Sequence, residues 1–125
     1  MLLTYMDQQS NPPIDLEQLN QISEGDLEFE IEVLQAYVED ILQRIEKIRE
    51  ALARNDRIQM MREAHHIKGA SSNVGALQIQ ALAIQLEKLE QSQRSEDLLK
   101  IIDVMLEKMK DVELFITEMS TTLSS

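Results

Sequence analysis

Hydrophobic residues recur every three or four positions along most of this chain, which is the spacing of one face of an α-helix. The longest run begins after Asp26, and its members are Leu27, Ile31, Leu34, Tyr37, Val38, Ile41, Ile45, Ile48 and Leu52. The last run has the same spacing, with members Leu98, Ile102, Met105, Met109, Val112, Ile116 and Met119. Two shorter helical segments, at about 57–73 and 77–89, lie on either side of Gly75. The sequence contains no strand-like alternation of useful length, so the pattern predicts an all-α protein.

Residues that favour helix starts precede the predicted helices. The candidate N-caps are Asp15, which would begin a short additional helix, Asp26, Asp56 and Ser95. Four long helices with short connections favour an antiparallel up-down four-helix bundle, here with a short extra N-terminal helix. We expect three parts: residues 1–13 as a flexible leader, 14–120 as the helical-bundle domain and 121–125 as a disordered tail.

Composition and charge narrow the range of functions. The 125 residues suit one domain, and a content of 43% hydrophobic but only 3% aromatic residues points to a core of Leu, Ile, Val and Met. A formal charge of −11 disfavours nucleic acid and anionic membranes as partners. The absence of Cys excludes disulfides, and the sequence contains no signal peptide or membrane-length apolar run. We therefore expect a soluble cytoplasmic protein. We further expect a monomer with no cofactor and no metal.

The helix predicted at 57–73 carries both histidines of the chain, and its two faces differ. Successive residues advance by about 100°, so a face can be defined around His65. That face contains Ile58, Met61, Arg62, His65, Lys68, Gly69 and Ser72. The opposite, small and apolar face contains Met60, Ala64, Ile67, Ala70, Ser71 and Val74. His65 should therefore point outward and His66 toward one flank. Glu63 falls on the apolar face, and we expect it to be tolerated there because it lies early in the helix.

The outward face has the groups that a nucleophilic histidine needs. Neutral imidazole is a competent nucleophile near neutral pH. A carboxylate that accepts a hydrogen bond from Nδ1–H would leave the Nε2 lone pair free, and Glu87 and Glu90 on the next segment are the candidates. Gly69 lies one turn from His65, so another molecule can approach closely. Lys68 would stabilise a phosphoryl group or carboxylate beside the ring.

The run AHHIKGASSNVGA resembles the signature of histidine-containing phosphotransfer (Hpt) domains. The matching positions are Ala64, His65, Ile67, Lys68, Gly69, Ala70, Ser71, Val74 and Gly75. Flanking matches occur at 25–27, 37–40 and 86–87, and the similarity covers about residues 15–117. One departure is Ala70, where many members have Ser, so any hydrogen bond from that hydroxyl is lost.

The resemblance implies a four-helix bundle in which His65 Nε2 accepts a phosphoryl group from a receiver-domain aspartate and passes it to another receiver aspartate. It assigns Glu87 to the Nδ1 side of His65 and Lys68 to the phosphoryl group. Residues of the outward face would bind the partner: Ile58, Met61, Arg62, Gly69 and Ser72. The implied partners are response-regulator receiver domains and a hybrid sensor histidine kinase. No glycine-rich phosphate-binding loop is present in the sequence, so we expect a relay intermediate and not an enzyme.

Three other interpretations fit parts of the sequence. Glu63-x-x-His66 has the spacing of one half of a di-iron site, but a second such pair is missing from the sequence. A helical-bundle module that binds receiver or kinase domains without accepting phosphate remains open. A dimeric kinase core normally follows its histidine with an acidic residue, whereas His66, Ile67 and Lys68 follow His65.

Overall fold

A computed structural model of the chain describes residues 12–88 and 94–124. Within these ranges the chain forms five α-helices and no strand. The helices are α1, Leu16–Ser23; α2, Leu27–Ala53; α3, Arg57–Val74; α4, Leu77–Lys88; and α5, Ser95–Ser124. The all-helical prediction is confirmed.

Three of the four predicted caps are present at helix N-termini. Carboxylate oxygens of Asp15, Asp26 and Asp56 accept hydrogen bonds from backbone N–H groups two or three residues further on, at 3.0 to 3.1 Å. The cap predicted at Ser95 is wrong, because Ser95 is the first helical residue of α5. The carbonyl oxygen of Arg94 accepts from the N–H groups of residues 97 and 98 at 3.1 and 3.3 Å, so the backbone enters the helix one residue earlier.

The predicted polar tail also differs from the structure, since α5 continues as far as Ser124. Threonine hydroxyls in this last part of the helix donate to backbone carbonyl groups four residues earlier. Thr117, Thr121 and Thr122 make these bonds at 3.0 to 3.1 Å. Polar composition therefore does not end the helix here. Of the predicted leader, residues 1–11 lie outside the described residues.

The four long helices pack as neighbours around a closed ring. α3 packs against α2 and α4, and α5 packs against α2 and α4, whereas the backbones of the diagonal pairs α2–α4 and α3–α5 stay farther apart throughout the described residues. Along the α2–α3 interface, Tyr37 contacts Ser71 and Arg44 contacts Glu63. Because residue numbers fall along α2 as they rise along α3, these two helices are antiparallel.

The short helix α1 is held at the corner between α3 and α4 by Gly75. This residue has φ +81°, and its carbonyl oxygen accepts a hydrogen bond from Asp15 N–H at 2.8 Å. A Cβ at this position would lie 2.7 Å from the Asp15 carbonyl oxygen. Both the left-handed backbone and the close approach require glycine.

The core is aliphatic, as the composition predicts. Its largest fully buried side chains are Ile14, Leu19, Leu34, Ile41, Ile45, Ile48, Met60, Ile67, Ile79, Leu86, Leu98 and Ile102. A polar contact lies within it, where the hydroxyl groups of Tyr37 and Ser71 are hydrogen-bonded at 2.6 Å. Burial raises the pKa of Tyr37 well above its usual range, so the phenol is protonated at neutral pH. In the described residues no helix is long and apolar enough to cross a membrane.

Candidate functional site

The two faces of α3 are arranged as the periodicity predicts. Ala64, Ile67 and Ser71 are fully buried against the bundle, while the side chain of His65 is 74% exposed. The buried face consists of small and aliphatic side chains that allow α3 to approach its neighbours closely. This packing fixes the rotation of α3 about its axis and thereby directs the His65 imidazole toward solvent.

Glu87 on α4 binds both His65 and Lys68. Its Oε1 lies 3.1 Å from His65 Nδ1, and its Oε2 lies 3.1 Å from Lys68 Nζ. An ionised carboxylate can only accept hydrogen bonds, so in the neutral imidazole Nδ1 carries the hydrogen and the lone pair is on Nε2. The site therefore presents Nε2 on an exposed ring that Glu87 holds through Nδ1. Glu90, the other carboxylate considered, lies outside the described residues.

The surface beside His65 is open on the side of Gly69. A Cβ built on Gly69 would meet no atom within 4 Å. Because Gly69 follows His65 by four residues, this bare stretch of backbone lies directly alongside the ring. The backbone of Gly69 is thus open to close approach by another molecule beside the His65 ring.

The remaining residues of the predicted face also lie at the surface. Ile58 is 67% and Met61 is 44% exposed, Arg62 is exposed and Ser72 is half-buried. Exposed large apolar side chains next to a reactive group are typical of a surface that binds another protein. The structure thus brings all the predicted partner-binding residues onto the same helix face as His65.

His66 takes part in a separate network on the other flank of α3. Its Nε2 lies 3.0 Å from Oδ2 of Asp40 on α2, and Oδ1 of Asp40 accepts from Arg44 Nε at 3.1 Å. Arg44 Nη1 in turn donates to Glu63 at 2.8 Å, and Gln59 Nε2 donates to the other Glu63 oxygen at 2.7 Å. This network explains the buried Glu63, whose charge is matched by Arg44.

Sequence reasoning missed Asp40 and Arg44. A signal for them was present in the sequence. Asp40 and Arg44 are four residues apart on α2, and Glu63 and His66 are three residues apart on α3, so each pair lies on one face of its helix. The same contacts bear on the di-iron interpretation, because both carboxylate oxygens of Glu63 already accept hydrogen bonds. Within residues 12–88 and 94–124, no group of three or more His, Asp or Glu side chains is arranged to hold a metal ion.

A groove of about 1020 Å³ lies away from His65, at the end of the bundle formed by α1, the start of α2 and the end of α5. Pro12, Leu27, Phe115 and Met119 are among its lining residues, and none of the predicted site residues lines it. His65 instead lies on an exposed helix face, with its side chain 74% exposed. An exposed face suits contact with another protein better than binding of a small substrate, which usually takes place in a concave pocket.

A helical bundle with an exposed histidine hydrogen-bonded to a carboxylate is the arrangement that the resemblance to histidine-containing phosphotransfer domains implies. The family model of the Hpt domain matches residues 32–124, which is most of the chain. The protein therefore belongs to the Hpt domain family, whose members are phosphotransfer intermediates of two-component phosphorelays.

Two solved structures are similar to the chain. Histidine-containing phosphotransfer protein B (HptB) from Pseudomonas aeruginosa PAO1 is 26% identical with a TM-score of 0.73, covering 87% of this chain and 95% of that one. The Hpt domain of the Hpt sensor hybrid histidine kinase from Shewanella is 24% identical with a TM-score of 0.67. The match covers 90% of this chain and 97% of that domain. The second likeness concerns the fold alone. No curated protein sequence matches the chain significantly.

Proposed function

We propose that His65 Nε2 accepts a phosphoryl group from the aspartate of one receiver domain and passes it to the aspartate of another. The partners are response-regulator receiver domains and a hybrid sensor histidine kinase, and the protein acts as a cytoplasmic monomer with the long helices in up-down order. The observation that carries this proposal is the exposed His65 ring with its Nδ1 hydrogen-bonded to Glu87. The match to the Hpt family supports it.

In the proposed step, the Nε2 lone pair attacks the phosphorus of the aspartyl phosphate in line with the bond that breaks. The new bond is P–N, and the broken P–O bond leaves its electron pair on the receiver carboxylate. The imidazole ring gains positive charge while Nδ1 keeps its hydrogen, and Glu87 stabilises that charge through the existing hydrogen bond. Attack by a second receiver carboxylate reverses the process and returns the ring to its neutral state.

The chain contributes positioning to this reaction, and the receiver contributes the metal ion and most of the transition-state stabilisation. Fixing the ring with respect to the phosphorus can lower the barrier by several kcal/mol. Lys68, held beside His65 by Glu87, places an ammonium group close to the incoming phosphoryl oxygens. The protein is then a relay intermediate without kinase activity.

Transfer from a phosphorylated receiver domain to the purified chain tests the proposal. We expect His65→Gln to abolish acid-labile labelling and His66→Gln to retain it, because only His65 presents Nε2 to the partner. The two variants are matched controls, since each removes one imidazole from the same helix. Labelling of the His65→Gln variant would overturn the assignment. Receiver binding without labelling of any variant would favour the module that only binds.

A further inference from the structure

Charge is unevenly distributed among the helices. α3 carries three basic residues, Arg57, Arg62 and Lys68, and one acidic residue, Glu63, whereas the formal charge of the whole chain is −11. α2 and α5 each carry seven acidic and three basic residues, and α4 carries one of each. Of the five described helices, α3 is therefore the one with a net positive formal charge.

The acidic residue of α3 does not weaken the positive charge of its surface. Glu63 is only 4% exposed, and its charge is matched by Arg44 of α2 at 2.8 Å. Two carboxylates on the helices beside α3 are also in contact with basic groups: Asp40 with Arg44 and His66, and Glu87 with Lys68 and His65. The exposed face of α3 consequently displays the cation of Arg62 and no carboxylate of its own.

The arrangement of the helices separates the charges across the molecule. α3 packs against α2 and α4, while its backbone stays farther from that of α5 within the described ranges, so α5 occupies the diagonal position of the ring. α5 has four more acidic than basic residues. The bundle therefore has a positive side that contains His65 and a strongly negative side across from it.

We propose that this charge separation selects partners whose docking surface is acidic and turns the His65 face toward them before contact. This inference rests on the proposed function, in which that surface surrounds the phosphorylated aspartate of a receiver. A chain of charge −11 without such a separation would repel an acidic partner in every orientation. The separation makes the His65 face the one orientation in which attraction acts at short range.

Arg62 is the residue that this proposal singles out. It precedes His65 by three residues on the same face, is exposed and forms no ion pair within the described residues. Lys68 is half-buried and already bonded to Glu87, so its charge is partly matched within the chain. Arg62 therefore contributes to the rate of association and to the choice of partner, and it does not take part in the chemical step.

Two charge-reversing substitutions can distinguish the effect of where a charge lies from the effect of the net charge on association. Arg62→Glu and Lys110→Glu each change the net charge by the same amount, but Lys110 is an exposed residue of α5. The association rate constant with a receiver domain is measured for both variants at low salt and at about 0.3 M salt. We expect Arg62→Glu to lower this constant about tenfold at low salt and little at high salt, and Lys110→Glu to change it less than about twofold.

Three results would overturn the inference: equal effects of the two reversals, an Arg62→Glu effect that is independent of salt, or wild-type association that becomes faster as salt is added. Arg62→Lys should restore the wild-type rate constant, because the charge is what matters. Labelling of His65 is recorded in parallel. Salt-dependent association without labelling would refute the phosphotransfer proposal alone, whereas labelling with salt-independent association would refute the charge proposal alone.

Discussion

The adjacent residues His65 and His66 are each hydrogen-bonded to a carboxylate of a neighbouring helix, but through opposite ring nitrogens. Glu87 contacts His65 at Nδ1, and Asp40 contacts His66 at Nε2. In His65 the free nitrogen is therefore the one farther from the backbone, and the ring is 74% exposed. In His66 that nitrogen is occupied and the ring is 44% exposed. In the proposed function, the ring nitrogen that the neighbouring helix binds distinguishes the reactive histidine from the unreactive one.

The two flanks of α3 also differ in how many residues their hydrogen-bond networks join and in how deeply these residues are buried. On the α2 side, a chain of hydrogen bonds links His66, Asp40, Arg44 and Glu63 and includes a buried carboxylate. On the α4 side, Glu87 alone holds His65 and Lys68 near the surface. We infer that the first flank mainly stabilises the fold and that the second mainly orients the reactive ring.

The largest expected effect concerns the orienting carboxylates. Glu87→Ala should slow phosphoryl transfer to His65 about tenfold to a hundredfold, because Nδ1 loses the acceptor that fixes the tautomer and ring orientation. Asp40→Ala should change the rate less than about twofold. Rapid-quench measurement of labelled His65 with a saturating phosphorylated receiver checks both values. Equal losses in the two variants would show that the histidines are not distinguished in this way.

The free energy of unfolding should depend more on the α2 flank than on the α4 flank, which is the reverse of the order expected for the transfer rate. Glu63→Ala leaves Arg44 without its buried partner and should lower the free energy of unfolding by about 2 to 3 kcal/mol. Glu87→Ala removes a partly exposed carboxylate and should lower it by less than about 1 kcal/mol. Urea denaturation followed by circular dichroism measures both. A larger loss for Glu87→Ala would contradict the division between the two flanks.

The buried contact between α2 and α3 should make stability depend on alkaline pH. Folding raises the pKa of the Tyr37 phenol. The contribution of Tyr37 to the free energy of unfolding is therefore fully present below the unfolded-state pKa of about 10 and is lost as pH rises above it. Tyr37→Phe should remove this dependence while lowering stability at neutral pH by about 1 to 2 kcal/mol, because Ser71 loses its partner. Urea denaturation across this pH range is the test. A wild-type stability that stays constant above pH 10 would contradict the assignment.

The smallest expected effect is a gain in stability. Gly69 lies in the helix with open space around its Cα, so Gly69→Ala should raise the free energy of unfolding by about 1 kcal/mol. The added methyl group lies where the partner must approach, so the receiver should bind more weakly. Thermal unfolding and a receiver titration measure the two quantities. A loss of stability would indicate that Gly69 is needed for the fold and not for docking.

Much of the fold could be predicted because it depends on local signals. The three-and-four spacing identified the helices, and aspartates at 15, 26 and 56 identified three of their starts. The rotation of α3 also followed from spacing, since small and aliphatic residues share one of its faces. The end of α5 could not be read from composition, because threonine side chains donate to carbonyl groups of their own helix.

The contacts between helices were harder to predict. The pairing of Glu63 with Arg44 depends on how α2 is rotated against α3 and joins residues 19 positions apart. Reasoning from the residues left Glu87 and Glu90 both open, and the resemblance selected Glu87 because family members have a Gln or Glu at the matching distance. The steric requirement at Gly75 comes from α1, which the sequence of α3 cannot reveal.

Identification of the phosphorylated nitrogen tests the central claim most directly. After transfer from a phosphorylated receiver to ¹⁵N-histidine-labelled protein, heteronuclear NMR distinguishes both rings and both nitrogens of each ring. We predict phosphorus on Nε2 of His65, a hydrogen retained on Nδ1, and no phosphorus on His66. Phosphorus on Nδ1 of His65 or on either nitrogen of His66 would contradict the assignment.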